Sequence, residues 1–202
     1  MSAAPVLPDD LGAFATPLDV DGVTIRPLTS GDLDAFVTHC IAIVGESGRD
    51  GSPLFAPYPR SEPYPARSVR DVAPARWARG LDVPRWGRAW GVFDAGHLVG
   101  DAELRGGDLV TLLHRATLGM GLRKSHCGRG LGRLLLEHLV AFARSRPEID
   151  WIDLGVFGGN APARALYASL GFVEIGRADD RFRIDGERVT DISMALWVGQ
   201  DG

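Results

Sequence analysis

Hydrophobic and polar residues alternate in several short runs along the chain, and this alternation predicts strands with one buried face. The first run covers residues 23–28. Runs over 89–93 and 97–104 are separated by Asp94-Ala-Gly96, a turn sequence that predicts a hairpin. Further runs cover residues 116–122, 151–157, 172–176 and 188–198. The pattern therefore predicts seven strands.

Apolar residues recur every three or four positions in four other segments, as they do along amphipathic helices. The clearest of these helices covers residues 131–145 and is ended by Pro147. A helix over 67–80 is expected to be interrupted at Pro74. The remaining helices cover residues 33–44 and 160–170. The resulting order, βααβββαβαββ, predicts an α/β fold in which a mixed sheet carries helices on its faces.

Two segments follow neither pattern. Residues 1–21 contain three prolines and predict a flexible N-terminal arm, which leaves a single domain over residues 22–198. Residues 45–65 contain eight glycines and prolines together with three aromatic side chains. A segment of this length without regular structure is either functional or disordered, and its aromatic residues favour an ordered loop that covers a substrate cleft.

The composition argues against several classes of protein. Of 202 residues, 45% are hydrophobic and 24% are charged, as in soluble globular domains. The net charge of −4 argues against a general nucleic-acid binder, and no apolar stretch approaches the roughly 18 residues of a membrane span. The N-terminus has no secretory signal, and Cys40 and Cys127 are the two cysteines. We therefore expect a cytoplasmic protein without disulfides or a metal site.

A basic, glycine-rich segment over residues 123–133 joins a predicted strand to the longest predicted helix. Its glycines permit a tight turn that exposes consecutive backbone N–H groups at the positive end of the helix, which predicts a phosphate cradle. The glycines are Gly128, Gly130 and Gly132, and the basic residues are Arg123, Lys124, Arg129 and Arg133. The spacing fits neither the P-loop nor the dinucleotide-binding fingerprint. The alternative is a turn that only connects strand to helix.

A second segment begins at Asn160 and ends at Phe172. Asn160 is a suitable helix N-cap and Gly171 a suitable C-terminal stop. Tyr167 lies seven residues after Asn160 and hence on nearly the same helix face. From this segment alone, Tyr167 is either a functional hydroxyl or an ordinary core aromatic.

Together the two segments resemble the GNAT superfamily of acyl-CoA-dependent N-acyltransferases. The family's Arg/Gln-x-x-Gly-x-Gly/Ala loop falls on Cys127-Gly-Arg-Gly-Leu-Gly132, with Cys127 in place of the usual Arg or Gln. Its Asn-x-x-Ala-x-x-Leu-Tyr-x-x-Leu-Gly-Phe helix falls on Asn160–Phe172 without a mismatch. The resemblance covers residues 22–198, and Arg129 or Arg123 is expected to compensate for Cys127.

The resemblance implies a GNAT-like fold, with a mostly antiparallel mixed sheet that is splayed where acetyl-CoA binds. Acetyl-CoA would lie between strands 116–122 and 150–156, with its pantetheine hydrogen-bonded to the backbone of the first strand. The implied cofactor-binding residues are Met120, Leu122, Arg123, Lys124, Cys127, Gly128, Arg129, Gly130, Leu131, Gly132, Arg133 and Asn160.

The implied activity is transfer of an acetyl group from acetyl-CoA to a primary amine by direct attack in a ternary complex. No covalent intermediate on Cys127 is expected. Tyr167 would be the general acid that protonates the CoA thiolate. Glu103 is the candidate general base and Asp101 its alternate, and we expect that only one of them faces the cleft.

The acceptor is either a small amine or a protein N-terminus, and the sequence does not choose between them. A homodimer through the C-terminal strands is compatible with the predicted sheet. The alternative function is a non-catalytic module that binds or senses acyl-CoA.

Overall fold

An eight-stranded sheet organises the computed structural model, which describes residues 7–200. The strands are β1 (Leu18–Val20), β2 (Val23–Pro27), β3 (Gly87–Asp94), β4 (His97–Gly106), β5 (Arg115–Leu122), β6 (Trp151–Phe157), β7 (Val173–Ile184) and β8 (Glu187–Trp197). The α-helices are α1 (Leu33–Glu46), α2 (Ala66–Trp77), α3 (Leu131–Arg144) and α4 (Ala161–Ser169). The predicted α/β class is confirmed.

The strands lie in the order β1-β2-β3-β4-β5-β6-β8-β7, and every neighbouring pair is antiparallel except β5 with β6. The parallel pairing of β5 with β6 covers residues 115–117 and 151–153, after which the two strands separate. The predicted splay in a mostly antiparallel sheet is thus confirmed, and it leaves a gap beyond the pair Thr117–Asp153.

Helices cover both faces of the sheet. Ala102 and Leu104 of β4 belong to the main core, which includes much of α3. Asp101 and Glu103 point to the opposite face, where they contact α1 and α2. Residues two apart on a strand share a face, so the expectation that only one of these two carboxylates faces the cleft side is wrong.

The N-terminal segment is ordered from residue 9 onward. Residues Asp9–Ala15 form a 3₁₀ turn, and β1 pairs with β2. Leu11 is buried in the main core, and Asp10 forms an ion pair with the buried Arg88. The prediction of a flexible arm over residues 1–21 is therefore wrong for residues 9–20, because Leu11 and the Asp10 carboxylate anchor this segment to the rest of the fold. Residues 1–6 lie outside the described part of the chain.

Two further elements differ from the prediction. Helix α2 continues through Pro74, because its buried Ala73 and Trp77 hold this turn against the sheet. Strand β7 extends to Ile184, eight residues beyond its predicted end, and most of it is exposed. Strand β7 forms an edge of the sheet and is therefore available for pairing with another chain. The predicted homodimer through the C-terminal strands stays a prediction. None of the helices in residues 7–200 is long and apolar enough to cross a membrane.

Candidate active site

The segment between β5 and α3 turns through two glycines in the left-handed region. Gly128 has φ of 76° and Gly130, which immediately precedes α3, has φ of 79°. A Cβ atom at either position would meet no heavy atom within 4 Å. Glycine is therefore favoured here by the backbone angle and not by a crowding neighbour, and the surface above the turn is open.

Six consecutive backbone amides of this turn are unpaired. In the described chain, the N–H groups of residues 128–133 have no hydrogen-bond acceptor. The first paired amide of α3 is that of Leu134, which donates to the Gly130 carbonyl at 3.1 Å. These amides lie at the positive end of a 14-residue helix. Unpaired amides at the positive end of a helix are what the predicted phosphate cradle requires, and its binding of an anion stays a prediction.

The basic side chains around the cradle all have acidic or carbonyl partners. The pairs are Arg123 with Glu46, Lys124 with the Asp50 carbonyl, Arg129 with Asp94, and Arg133 with Glu137. Their charge is thereby partly balanced. The unpaired amides, more than these side chains, give the cradle its attraction for an anion.

Cys127 stands at the entrance to the cradle and is exposed. Partial burial of its thiol and the nearby Glu46 carboxylate raise the pKa of Cys127. Its Sγ lies 3.5 Å from the Arg123 carbonyl oxygen. A thiol with a raised pKa stays protonated at neutral pH, which supports the expectation that Cys127 is not a nucleophile.

The edge of β5 that faces the gap carries free backbone groups. The Arg123 amide donates to the Val99 carbonyl of the β4 side at 2.9 Å, so the amides at odd-numbered β5 positions point toward β4. By alternation, those of Leu118, Met120 and Leu122 point toward β6, which no longer pairs with them. The gap therefore offers a strand edge to an extended, amide-containing ligand.

Helix α4 lies beside the cradle. Asn160 caps it by accepting a hydrogen bond from the Ala163 amide at 3.3 Å. Arg133 of α3 donates to the Ser169 hydroxyl at 2.6 Å and thereby joins the two helices. Asn160 thus has a capping role, and its predicted contact with the cofactor stays a prediction.

Tyr167 of α4 combines a buried ring with an available hydroxyl. The side chain is 8% exposed and packs against Phe172 with 5.8 Å between ring centroids. Burial raises the pKa of Tyr167 to about 12. Among the described residues its hydroxyl has no hydrogen-bond partner, and it is not one of the fully enclosed polar atoms. The phenol therefore stays protonated and is free to donate to a ligand.

The two predicted base candidates are held by other side chains. The oxygens of Glu103 accept hydrogen bonds from Arg76 and from the Trp77 indole, each at 2.9 Å. Burial raises the pKa of Glu103, and the charge of Arg76 opposes that effect. Asp101 lies 3.0 Å from Nε2 of the enclosed His39. The predicted base role of Glu103 stays a prediction, and these contacts give it no support.

The loop between α1 and α2, residues 47–65, contains no helix or strand, and its predicted place over a substrate cleft stays a prediction. The Ser47 hydroxyl accepts hydrogen bonds from the amides of Phe55 and Ala56, each at 2.9 Å. Arg60 forms ion pairs with Asp185 and Glu187 at the turn between β7 and β8, at 3.5 and 2.9 Å. The loop thus spans from α1 to the far edge of the sheet, on the face that carries α1.

Residues 54–172 match the sequence model of the acetyltransferase (GNAT) family. The [ribosomal protein bS18]-alanine N-acetyltransferase of Salmonella typhimurium is 51% identical over 47 residues, which are 23% of this chain and 30% of that protein. N-alpha-acetyltransferase RimI of Mycobacterium tuberculosis is 37% identical over 67 residues, 33% of this chain and 40% of that protein. The chain thus spans less than half the length of these curated relatives.

The fold is similar to that of the yncA protein of Salmonella typhimurium, solved with its cofactor acetyl-CoA. The TM-score is 0.72 at 18% identity, and the match covers 90% of this chain and 97% of the other. This likeness shows the fold. In residues 7–200, no cluster of three or more His, Cys, Asp or Glu side chains is arranged so that it could hold a metal ion.

Proposed function

The chain belongs to the GNAT family of acetyltransferases, and we propose that it transfers an acetyl group from acetyl-CoA to a primary amine. The observation that carries this proposal is the row of unpaired amides over residues 128–133, which follows the free edge of β5 after a short 3₁₀ turn. Tyr167 lies on the helix joined to this cradle. The unpaired amides, the free strand edge and the Tyr167 hydroxyl together support the proposal.

The residues present fit acetyl-CoA. Its pyrophosphate would accept hydrogen bonds from the amides of residues 128–133. The amides of its pantetheine arm would pair with the backbone of Met120 and Leu122, as an added strand does. When bound, acetyl-CoA supplies an activated acyl thioester.

The chain's own groups then account for acyl transfer without a covalent intermediate. A backbone N–H near Leu122 would polarise the acyl carbonyl. Tyr167 donates its hydroxyl proton to the departing sulfur, whose charge would be poorly stabilised in a cleft with little water. Cys127, with its raised pKa, has no part in the acyl transfer.

For the acceptor, we propose the α-amino group of a protein. One relative is named as an alanine N-acetyltransferase of a ribosomal protein, and another as an N-alpha-acetyltransferase. A small-molecule amine is the alternative acceptor. We place the enzyme in the cytoplasm, which is supported by the free thiols of Cys40 and Cys127.

The test is turnover by the full chain with acetyl-CoA and a panel of amines: peptides with free N-termini, the same peptides with blocked N-termini, and polyamines. Release of CoA thiol and an acetyl mass increase on a free-N-terminal peptide are expected. A non-catalytic acyl-CoA module would bind acetyl-CoA saturably and release no thiol with any amine. That result would contradict the proposal.

A further inference from the structure

Two glycines line the gap between β5 and β6 on the face that carries α1. Thr117 and Asp153 form the last pair before the strands separate. The next positions on the same face are Gly119 and Gly155, because residues two apart on a strand share a face. Gly155 is exposed. Neither glycine contributes a side chain of its own to the gap. Above Gly119, the Nη2 atom of Arg105 lies 3.1 Å from the position that a Cβ would occupy, and Arg105 in turn lies 3.9 Å from Glu103.

Asp191 of β8 reaches over Gly155. Its neighbour Ile192 lies in the main core with α3, so Asp191 points to the opposite face, that of Gly155. The Asp191 Oδ1 atom is 3.3 Å from the position that a Cβ of residue 155 would occupy. The carboxylate therefore occupies the space that a side chain from β6 would otherwise fill.

Asp191 differs from the other carboxylates near the gap in having no partner. Among the described residues, no hydrogen bond reaches its carboxylate and no cationic nitrogen lies within 4.0 Å. Asp153 is bound by Arg115 at 2.5 and 2.7 Å, and Glu103 by Arg76 at 2.9 Å. Asp191 is half-buried, so its charge is only partly compensated by water.

The surroundings of Asp191 strengthen its attraction for a cation. Its cross-strand partner Phe157 belongs to an apolar cluster with Ile184 and Val189. Leu54, from the loop between α1 and α2, packs against that cluster. A charge beside an apolar wall interacts more strongly with an opposite charge than one surrounded by water does.

We propose that Asp191 binds the ammonium group of the acceptor and takes a proton from it. This deepens the proposed acetyl transfer and rests on it, and it names the acceptor class as a cationic primary amine. One proton passes from nitrogen to Asp191 and on to water, which frees the lone pair. As the C–N bond forms and the C–S bond breaks, Tyr167 protonates sulfur, and the second nitrogen proton returns through water to Tyr167.

The first test is Asp191→Asn, which keeps the shape of the side chain and removes its charge. We expect kcat/KM for the amine to fall roughly 10²-fold, the usual worth of a positioned acid or base. The affinity for acetyl-CoA, measured by calorimetric titration, should be unchanged. Glu174→Gln is the matched control, since this exposed carboxylate lies on neighbouring β7 and its contact is with Arg164 at 3.7 Å.

The second test moves the carboxylate from β8 to β6. In an Asp191→Ala background, Gly155→Asp should project a carboxylate into the space that Asp191 has left. We expect the double variant to regain about tenfold or more of the kcat/KM lost by Asp191→Ala. Regain by this route would not follow from a merely structural role of Asp191, because the new group belongs to another strand.

Three outcomes are distinguishable. A wild-type chain that acetylates amines while Asp191→Asn keeps its kcat/KM overturns the Asp191 proposal and leaves acetyl transfer standing. A loss of kcat/KM in Glu103→Gln without a loss in Asp191→Asn has the same consequence and would assign the base role to Glu103. A wild-type chain that acetylates no amine overturns both proposals. If Asp191→Asn does not fold, the double variant decides, and failure to regain activity in a folded double variant overturns the proposal.

Discussion

Removing the hydroxyl of Tyr167 distinguishes a catalytic role of this residue from a role in packing. Tyr167→Phe keeps the ring against Phe172 and deletes only the oxygen, which has no partner to lose among the described residues. We expect kcat to fall by roughly 10²-fold or more. The melting temperature and the affinity for acetyl-CoA should change little. Steady-state kinetics, thermal unfolding and calorimetric titration measure these three quantities.

Burial raises the pKa of Tyr167 to about 12, so the phenol stays protonated throughout the pH range of such assays. A loss of kcat in Tyr167→Phe should therefore be equally large at pH 7 and pH 9. If the variant keeps near-normal kcat with the best acceptor, Tyr167 is a core aromatic and the acid role is wrong.

At this scale, a local pattern predicts some residues and cannot predict others. Asn160 caps the short helix that carries Tyr167, so the sequence spacing alone predicts how the two residues are placed along it. Arg76 and Trp77, which bind Glu103 of β4, lie 27 and 26 residues earlier in the chain on helix α2, and no sequence spacing reveals these contacts. The motifs do not include Asp191, although its position before the buried Ile192 in an alternating strand is a usable signal.

Among the elements, the turn from β5 into α3 is where a change should affect cofactor binding directly. Gly130→Asp places a negative side chain where the unpaired amides await an anion, in a backbone conformation with φ of 79°. We expect the affinity for acetyl-CoA to weaken more than tenfold, that is by over about 1.4 kcal/mol. Calorimetric titration of the folded variant measures this change.

Backbone strain accompanies this substitution and needs its own control. Gly22 lies in the turn between β1 and β2, has φ of 80°, and likewise has no heavy atom within 4 Å of the position that a Cβ would occupy. Gly22→Asp should therefore show a similar loss of stability with unchanged affinity for acetyl-CoA. Equal affinities in Gly130→Asp and the wild type would contradict the anion-cradle assignment.

The predictability of each element follows from how its burial alternates. Helix α3 has buried residues at helical spacing, and the sequence places it to within a residue. Strand β7 is almost entirely exposed, so its sequence carries no alternation to mark its length. In the 3₁₀ turn of the N-terminal segment only Leu11 is fully buried, while Phe14 and Ala15 are partly buried against the core, which is too little to form a periodic pattern.

For the molecule as a whole, the acceptor side is assembled from segments far apart in the chain. The loop between α1 and α2 is fastened at one end by Glu46, which accepts hydrogen bonds from Arg123 and from the Lys124 amide. Toward its other end, Arg60 ties it to the turn between β7 and β8. The loop thus links the cradle to the hairpin that carries Asp191, a relation that no local sequence pattern contains.

Arg60→Ala tests whether this link shapes the acceptor site. Without its ion pairs to Asp185 and Glu187, the loop should sample more conformations, and the amine must then order it on binding. We expect KM for the amine to rise severalfold, with the acetyl-CoA affinity unchanged because the cradle lies at the other end of the loop. High salt should reduce the difference in KM between variant and wild type, since it screens these partly exposed ion pairs.

Arg85→Ala, which removes the exposed ion pair with Asp108, is the matched control and should leave both the KM for the amine and the affinity for acetyl-CoA unchanged. An equal rise in both constants for Arg60→Ala would indicate general loosening of the fold and contradict a specific role at the acceptor site.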